Sequence, residues 1–158
     1  MSITAASRLF VSVLLAISGL LAFTGCAGGP SPVAGQDSIR TLTTLGNSNW
    51  ILSKWVSADG SHTPIPPPAP TIMIGYQGRL SGQAGVNNYV GNVTVADDRL
   101  NWGRNLAVTR MAGSPELMAS EARFLADLQA TQRVTSRGNH LLFIGEKPLR
   151  LEFTRANP

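Results

Sequence analysis

The chain has 158 residues, enough for one compact domain, and only 14% of them are charged. Its 16 glycines and 10 prolines indicate many turns, a profile typical of a small, mostly β protein and not of a helical bundle. The formal net charge of +4 comes from 13 basic and 9 acidic residues without a basic run, which argues against a nucleic-acid partner.

The N-terminus carries an export pattern. A short front end with one positive charge, Arg8, precedes an uncharged apolar run at residues 9–23. This run is shorter than the roughly 20 residues that cross a bilayer as a helix, and its length is typical of a signal-peptide core. Small residues then lead to Cys26 in a pattern that resembles a bacterial lipobox, although Phe23 stands where Leu is usual.

This resemblance implies that residues 1–25 are a lipoprotein signal peptide and that Cys26 becomes the lipid-attached first residue. Because Cys26 is the only cysteine, it cannot form an internal disulfide. An uncleaved membrane anchor with a buried thiol is the alternative. Ala27, and not aspartate, follows the cysteine, so in a Gram-negative host we expect a lipid anchor in the outer membrane, on its periplasmic side.

The start of the mature chain is expected to be a tether. Residues 26–45 are small, polar and poor in aromatic residues, a composition that favours a flexible segment. The first strand is predicted at residues 49–56, where bulky groups alternate on both faces and Trp50 and Trp55 lie at the edges. Five prolines between 64 and 70 then predict an extended loop.

From residue 71 onward the pattern predicts short antiparallel strands. Tight hairpins are expected at Gln77-Gly78, at Asp97-Asp98 and at residues 137–139, and the segment 150–155 is expected to close the sheet. The domain therefore spans residues 46–155. Its predicted fold class is mainly β with one helix, as a small antiparallel β-barrel or a strongly curved sheet packed against that helix.

One segment predicts a helix. Ser114 is a favourable N-cap, and Pro115 is suited to the first helical position. Leu117, Glu121, Phe124 and Leu128 then recur at helical spacing. We expect this helix to close one side or mouth of the sheet, with Phe124 and Leu128 in the core.

The glycine-rich stretch 81–91, SGQAGVNNYVG, could be taken for a phosphate-binding loop. Such loops place their glycines between a strand and a helix, so that the helix N-terminus faces the phosphate. Here another strand follows. The stretch is better interpreted as a corner, with glycines for bends or close approach and Asn87 and Asn88 for left-handed backbone, while a bound ligand stays the alternative.

The same stretch carries a family resemblance. SGQAGVNNYVG, followed by LAVTRMAGSPE and EARFLADL, is similar to the ordered motifs of the META/HslJ-like domain. WILSKWV matches the opening strand of that family and LLFIGEKPLRLEF its closing hairpin. The resemblance covers about residues 45–155.

Two positions depart from the family pattern together. Val86 and Gly113 stand where the family motifs have cysteines. The joint absence implies that in relatives these cysteines are partners in a disulfide, or else a metal or redox pair. This chain lacks both.

Enzyme motifs are missing from the sequence, so we expect a protein that is not an enzyme and that uses no metal or cofactor. His62 lies in the proline-rich loop and His140 beside a hairpin turn, and neither has a nucleophile or metal-ligand pattern around it. A sequence does not show residues that converge only in space.

The resemblance implies an HslJ-type lipoprotein, linked to heat shock and novobiocin tolerance, that binds an envelope protein partner or an acyl group. A lipocalin-like carrier of a small apolar ligand is the alternative, and it requires a cavity of several hundred Å³. The candidate site residues lie on the two central motifs, where each is also interpretable as a conformational requirement; they are Asn87, Tyr89, Thr109, Arg110 and Met111.

Overall fold

The computed structural model describes residues 37–103 and 106–156. The predicted signal peptide, Cys26 and the tether up to residue 36 lie outside these ranges. The described chain forms helices α1 (Asp37–Thr44) and α2 (Pro115–Gln129), a 3₁₀ turn (Tyr76–Gly78), and strands β1 (Ser48–Val56), β2 (Thr71–Ile74), β3 (Arg79–Gln83), β4 (Asn88–Ala96), β5 (Arg99–Trp102), β6 (Ala107–Val108), β7 (Arg133–Arg137), β8 (His140–Ile144) and β9 (Arg150–Arg155).

The strands form a nearly closed antiparallel barrel. Eight of the described strands follow one another in the order β5-β4-β3-β2-β1-β9-β8-β7, and the short β6 pairs with β4. The seam between β5 and β7 is bridged by Leu100, whose N–H donates to the carbonyl of Gln132 at 2.7 Å, and by the Trp102 ring N–H, which donates to the carbonyl of Thr131. The predicted barrel is confirmed.

Helix α1 was not expected, because the sequence predicts a flexible tether through residue 45. Its Ser38 is fully buried: the backbone N–H donates to the Asp98 carboxylate, and the hydroxyl accepts the N–H of Val134. Ser38 thus bridges the β4–β5 turn and β7 across the seam. The tether prediction is wrong from residue 37 onward because these tertiary contacts, with buried Thr41 and Leu42, stabilise a helix too short to be stable alone.

Strand β1 also differs from its prediction. Its register against β9 shifts by one residue between Leu52 and Lys54, a β-bulge that changes which face the following residues occupy. Trp50, Leu52 and Trp55 therefore all lie in the core, and the tryptophans are not at the edges. A strict period of two could not place both rings on one face.

The predicted hairpins are confirmed. Residues 75–78 connect β2 to β3 and include Gln77 and Gly78, while Asp97 and Asp98 alone connect β4 to β5. Gln77, Gly78, Asp97 and Asp98 all have positive φ angles, between 49° and 76°. The β7–β8 hairpin pairs Arg137 directly with His140, so its loop is two residues long.

Helix α2 begins and packs as predicted. The Ser114 hydroxyl accepts the N–H of Leu117, and the buried face carries Phe124 and Leu128, both without exposed surface. The Phe124 ring lies edge-on to three other aromatic rings, at centroid distances of 6.0 Å to Trp55, 6.1 Å to Tyr89 and 6.5 Å to Phe153. This aromatic cluster fixes α2 to the barrel interior.

The two helices lie at opposite ends of β1. The carbonyl of Leu45, directly after α1, accepts a hydrogen bond from the Ser48 hydroxyl at the start of β1. At the other end, the Trp55 ring N–H donates to the Asp127 carboxylate of α2 at 2.8 Å. Seven residue steps of a strand separate Ser48 from Trp55, about 23 Å along β1. In the described part of the chain, no helix has the length and apolarity to cross a membrane.

Candidate functional site

The corner between β3 and β4 is the glycine-rich stretch singled out in the sequence. It is a four-residue connection closed by a hydrogen bond from the Ala84 N–H to the Asn87 carbonyl at 2.8 Å. Gly85 has a φ of 151°, a conformation that side chains rarely adopt. A Cβ at Gly82 would collide with the carbonyl oxygen of Thr71 on the neighbouring strand. Two of the glycines are therefore required by the backbone.

A buried carboxylate from α2 holds this corner. Glu121 is only 5% exposed, and its Oε2 accepts the N–H groups of Val86 at 3.0 Å and Asn87 at 2.7 Å. Its Oε1 accepts the side-chain amide of Asn87 at 2.8 Å. Because these donors are occupied by Glu121, the corner does not present them to a phosphate. This geometry supports the corner interpretation.

Asn87 extends the cluster to the segment after β6. Its Oδ1 accepts the Thr109 hydroxyl at 2.8 Å and the Met111 N–H at 2.7 Å, while its amide also donates to the Met111 carbonyl at 3.2 Å. Asn87 is buried, and its φ is not positive. The expectation of left-handed backbone is thus wrong for Asn87 and Asn88. The Asn87 side chain instead joins the corner to α2 and to the segment after β6 through hydrogen bonds.

The predicted site residues fall into two groups. Asn87 is buried, and so is Tyr89, whose hydroxyl donates to the Thr71 carbonyl at 2.8 Å and whose pKa is raised by burial. Thr109, Arg110 and Met111 are exposed, and Met111 keeps 50% of its surface. The structure brings Asn87, Thr109 and Met111 into one cluster. Their role in binding stays a prediction.

Positions 86 and 113 are neighbours. A Cβ built on Gly113 lies 3.3 Å from the Cβ of Val86, and it would collide with one of the Val86 methyl groups. Two Cα–Cβ bonds of about 1.5 Å each then limit the Cα separation to about 6.3 Å, within bridging distance of a disulfide. The two motifs therefore meet, and the Val86 side chain fills the place of the family cysteines.

A second carboxylate ties α2 to the loop after β1. Asp127 accepts the Trp55 ring N–H and, at 3.0 Å, the hydroxyl of the buried Ser57. The exposed Asp59 forms an ion pair with Arg123 of α2 at 3.1 Å, and its pKa is lowered by its hydrogen bonds to Ser61. Two acidic residues of α2, Glu121 and Asp127, thus bond to opposite sides of the same barrel end.

Neither histidine joins this site. His62 is exposed in the loop after β1, where it forms an isolated bridge with Val56. His140 lies in the β7–β8 hairpin, 3.1 Å from the Glu152 carboxylate. Across residues 37–103 and 106–156, no group of three side chains of the metal-ligating types comes together.

Glu121 is the residue that the sequence reasoning missed. The helical spacing places it only on the apolar stripe of α2. The available signal was its charge, since an acidic residue on a buried helix face requires hydrogen-bond donors around it. The donors come from a corner more than thirty positions earlier in the chain, and every buried side-chain polar atom of the described residues has a partner.

Large side chains fill the barrel interior, and open grooves lie on the barrel surface. Trp50, Phe124, Phe143 and Phe153 have no exposed surface. An open apolar groove of about 680 Å³ lies at the α1 end and is lined by Ile39, Leu42, Thr43, Tyr76, Gln77, Gly78, Val93, Thr94 and Val95. A second groove of about 510 Å³ crosses the outer face of β1 to β4, beside the exposed Ile51 and Met73.

The fold and the polar cluster define a class of small antiparallel barrels in which a buried carboxylate of one helix clamps a glycine-rich corner. The family model described as META domain matches residues 42–158, about three quarters of the chain. The chain belongs to the META domain family, which includes the HslJ-like proteins linked to stress. The predicted family is confirmed.

Solved structures show the same fold. A protein from Burkholderia xenovorans, solved by NMR, is 25% identical and superposes with a TM-score of 0.63, covering 84% of this chain and 94% of its own. A DUF4847 family protein from Bacteroides vulgatus is 14% identical, with a TM-score of 0.52 and coverage of 76% and 99%. No curated protein matches the sequence.

Proposed function

We propose that this chain is a non-enzymatic envelope lipoprotein of the HslJ type, anchored in the outer membrane through Cys26 and binding a protein partner under stress. The META family membership supports the stress-related class. The lipobox-like pattern that ends at Cys26 supports the anchor.

One observation carries the proposal of a binding site at the polar cluster. The Met111 side chain is half exposed, while its backbone N–H and carbonyl are both fixed by the buried Asn87 side chain. Arg110 is exposed directly before it. An exposed apolar group and a cation on a fixed backbone suit a protein contact, because little conformational entropy is lost when a partner binds.

The packed interior favours this function over a lipocalin-like carrier. A carrier requires a concave site that buries most of its ligand. Here aromatic side chains occupy the centre of the barrel, and the grooves of several hundred Å³ are open at the surface. An extended partner segment fits such grooves better than an enclosed small molecule does.

Two experiments test the proposal. Labelled palmitate should enter the wild-type protein and not Cys26→Ala; equal labelling of both would overturn the anchor. A photo-crosslinking residue at position 111 should capture a defined protein in stressed cells, with position 139, in the exposed β7–β8 turn, as the matched control. Identical captures from 111 and 139, or a co-purified lipid in place of a protein, would contradict a partner site at the cluster.

A further inference from the structure

The end of the barrel that carries α1 exposes an apolar surface. Ile39 on α1 is 47% exposed, and Tyr76 in the 3₁₀ turn is 72% exposed. Both line the groove of about 680 Å³, whose other walls include Leu42 and Val95. The Tyr76 ring lies against Gly46 and its hydroxyl accepts the Asn47 side-chain amide, so this large aromatic group is held at the surface.

We propose that this surface, the α1 face (Ile39, Thr43, Tyr76 and the groove between them), rests on the lipid bilayer in which the protein is anchored. The inference rests on the proposed lipid anchor at Cys26. It adds an orientation: α1 faces the membrane, and the polar cluster around Asn87 and Glu121 faces away from it.

The point at which the chain enters the domain supports this orientation. Asp37, the first residue of α1, follows Cys26 by 37 − 26 = 11 residue steps. Ser48 and Trp55 are about 23 Å apart along β1, and the tilt of strands in a closed barrel reduces the separation of the two barrel ends to roughly 18 Å along the axis. The α1 end is therefore the end to which the lipid-bearing residue is directly connected, and the α2 end lies on the other side of the barrel.

The chemistry of the α1 face suits a membrane interface. Aromatic side chains with a polar tip, such as Tyr76, are favoured at the level of the lipid headgroups, where the ring is apolar and the hydroxyl stays hydrated. The exposed Arg40 and Arg79 are adjacent in sequence to Ile39 and to the 3₁₀ turn, and can bind phosphate oxygens. The exposed carboxylate of Asp97 partly cancels the positive charge of these two arginines. The burial of apolar groups, and not net charge, therefore stabilises the proposed contact with the bilayer.

The same geometry assigns the opposite end to the partner. Glu121 and Asp127 fix α2 at the far end of β1, together with the corner and Met111. A protein partner approaching from the periplasm would meet this end first. An orientation with α2 on the membrane would instead bury the cluster against lipid.

The test uses the full lipid-anchored protein in vesicles of phosphatidylethanolamine and phosphatidylglycerol. A nitroxide is attached to Thr43→Cys on the α1 face or, as the matched control, to Ala122→Cys on the exposed side of α2. Because lipidation consumes the thiol of Cys26, each introduced cysteine is the reactive one. The measurement is the collision rate of the nitroxide with a water-soluble nickel chelate and with oxygen.

We expect the nickel collision rate at position 43 to fall at least about twofold on vesicles relative to detergent, because a group at the headgroup level is shielded from a water-soluble chelate. Position 122 should show none of this fall. Ile39→Asp in the Thr43→Cys protein should abolish the fall. Replacing the anionic phosphatidylglycerol by phosphatidylethanolamine should change the fall of the nickel collision rate at position 43 only slightly. Equal collision rates at 43 and 122, or a fall that survives Ile39→Asp, would overturn the orientation.

Flotation of the vesicles separates this inference from the anchor. Protein that floats with vesicles but shows no protection at position 43 is anchored without docking, which refutes only the α1 face. Protein that fails to float, with a free thiol at Cys26, refutes both the anchor and the orientation that depends on it.

Discussion

Restoring a crosslink at positions 86 and 113 should stabilise the fold. A Cβ at Gly113 would lie 3.3 Å from that of Val86, slightly short of the usual disulfide range of about 3.5–4.5 Å, and Gly113 does not have a positive φ. In the double variant Val86→Cys, Gly113→Cys, the first change removes the methyl groups with which the second would collide. We therefore expect the pair to oxidise with a backbone shift of only a few tenths of an ångström.

The magnitude follows from the loop that the crosslink closes. The two positions are 113 − 86 = 27 residues apart, for which the chain-entropy model gives about 3.6 kcal/mol. The loss of packing by the half-buried Val86 subtracts about 1 kcal/mol, since about one methyl group leaves the interface. With some residual strain, the net gain is about 2 kcal/mol, which corresponds to a rise of about 1 M in the urea midpoint.

The assay compares urea unfolding of the oxidised and reduced double variant, with the two single variants as controls. Gly113→Cys alone should be destabilised by about 1–3 kcal/mol because its Cβ meets the Val86 side chain, and Val86→Cys should relieve much of that loss. Persistence of both thiols under oxidising conditions would refute the reasoning. So would identical urea midpoints for the oxidised and reduced forms.

Three further predictions concern the barrel end that carries α2. Phe124→Ala should lower the free energy of unfolding by about 3–5 kcal/mol in urea, because the ring is fully buried among aromatic side chains; a loss below about 1 kcal/mol would contradict the packing described. Glu121→Ala should cost about 3 kcal/mol and speed hydrogen exchange at the Val86 and Asn87 amides, while Glu121→Gln keeps an acceptor and should cost less; equal exchange in all three proteins would contradict the clamp. Burial raises the pKa of Tyr89, so the unfolded chain loses this proton first, and stability should fall as pH rises above about 10; Tyr89→Phe should reduce that alkaline loss, measured as urea midpoints between neutral and alkaline pH.

The local elements were predictable because their signals lie within short stretches of chain. Ser114 and Pro115 mark the start of α2, and the helical spacing of Phe124 and Leu128 marks its buried face. The turns at Asp97-Asp98 and at Gly78 were predictable because Asp and Gly are among the few residue types that adopt positive φ. The order of the motifs likewise indicated the META family, which the match over residues 42–158 confirms.

Other features exist only through contacts between distant segments. Helix α1 is stabilised by Ser38, whose partners Asp98 and Val134 lie 60 and 96 residues away in sequence. The bulge that brings Trp50 and Trp55 to one face depends on pairing with β9 at the far end of the chain. The buried residues of α1, Ser38, Thr41 and Leu42, do recur at helical spacing, but eight residues are too few for that pattern to form a helix without these partners.

The candidate site likewise combines features that the sequence predicts with features that depend on tertiary contacts. The sequence by itself determined the fold class, the hairpins, the long helix and the family, because periodicity, caps and turn residues act over a few neighbouring positions. Only the tertiary structure decided what the glycine-rich corner does. Its N–H groups bond to Glu121, a carboxylate 34 positions later in the chain, and its Asn87 bonds to Thr109 and Met111. A buried hydrogen bond depends on which segments the closed barrel brings together, and that depends on all the strand pairings at once.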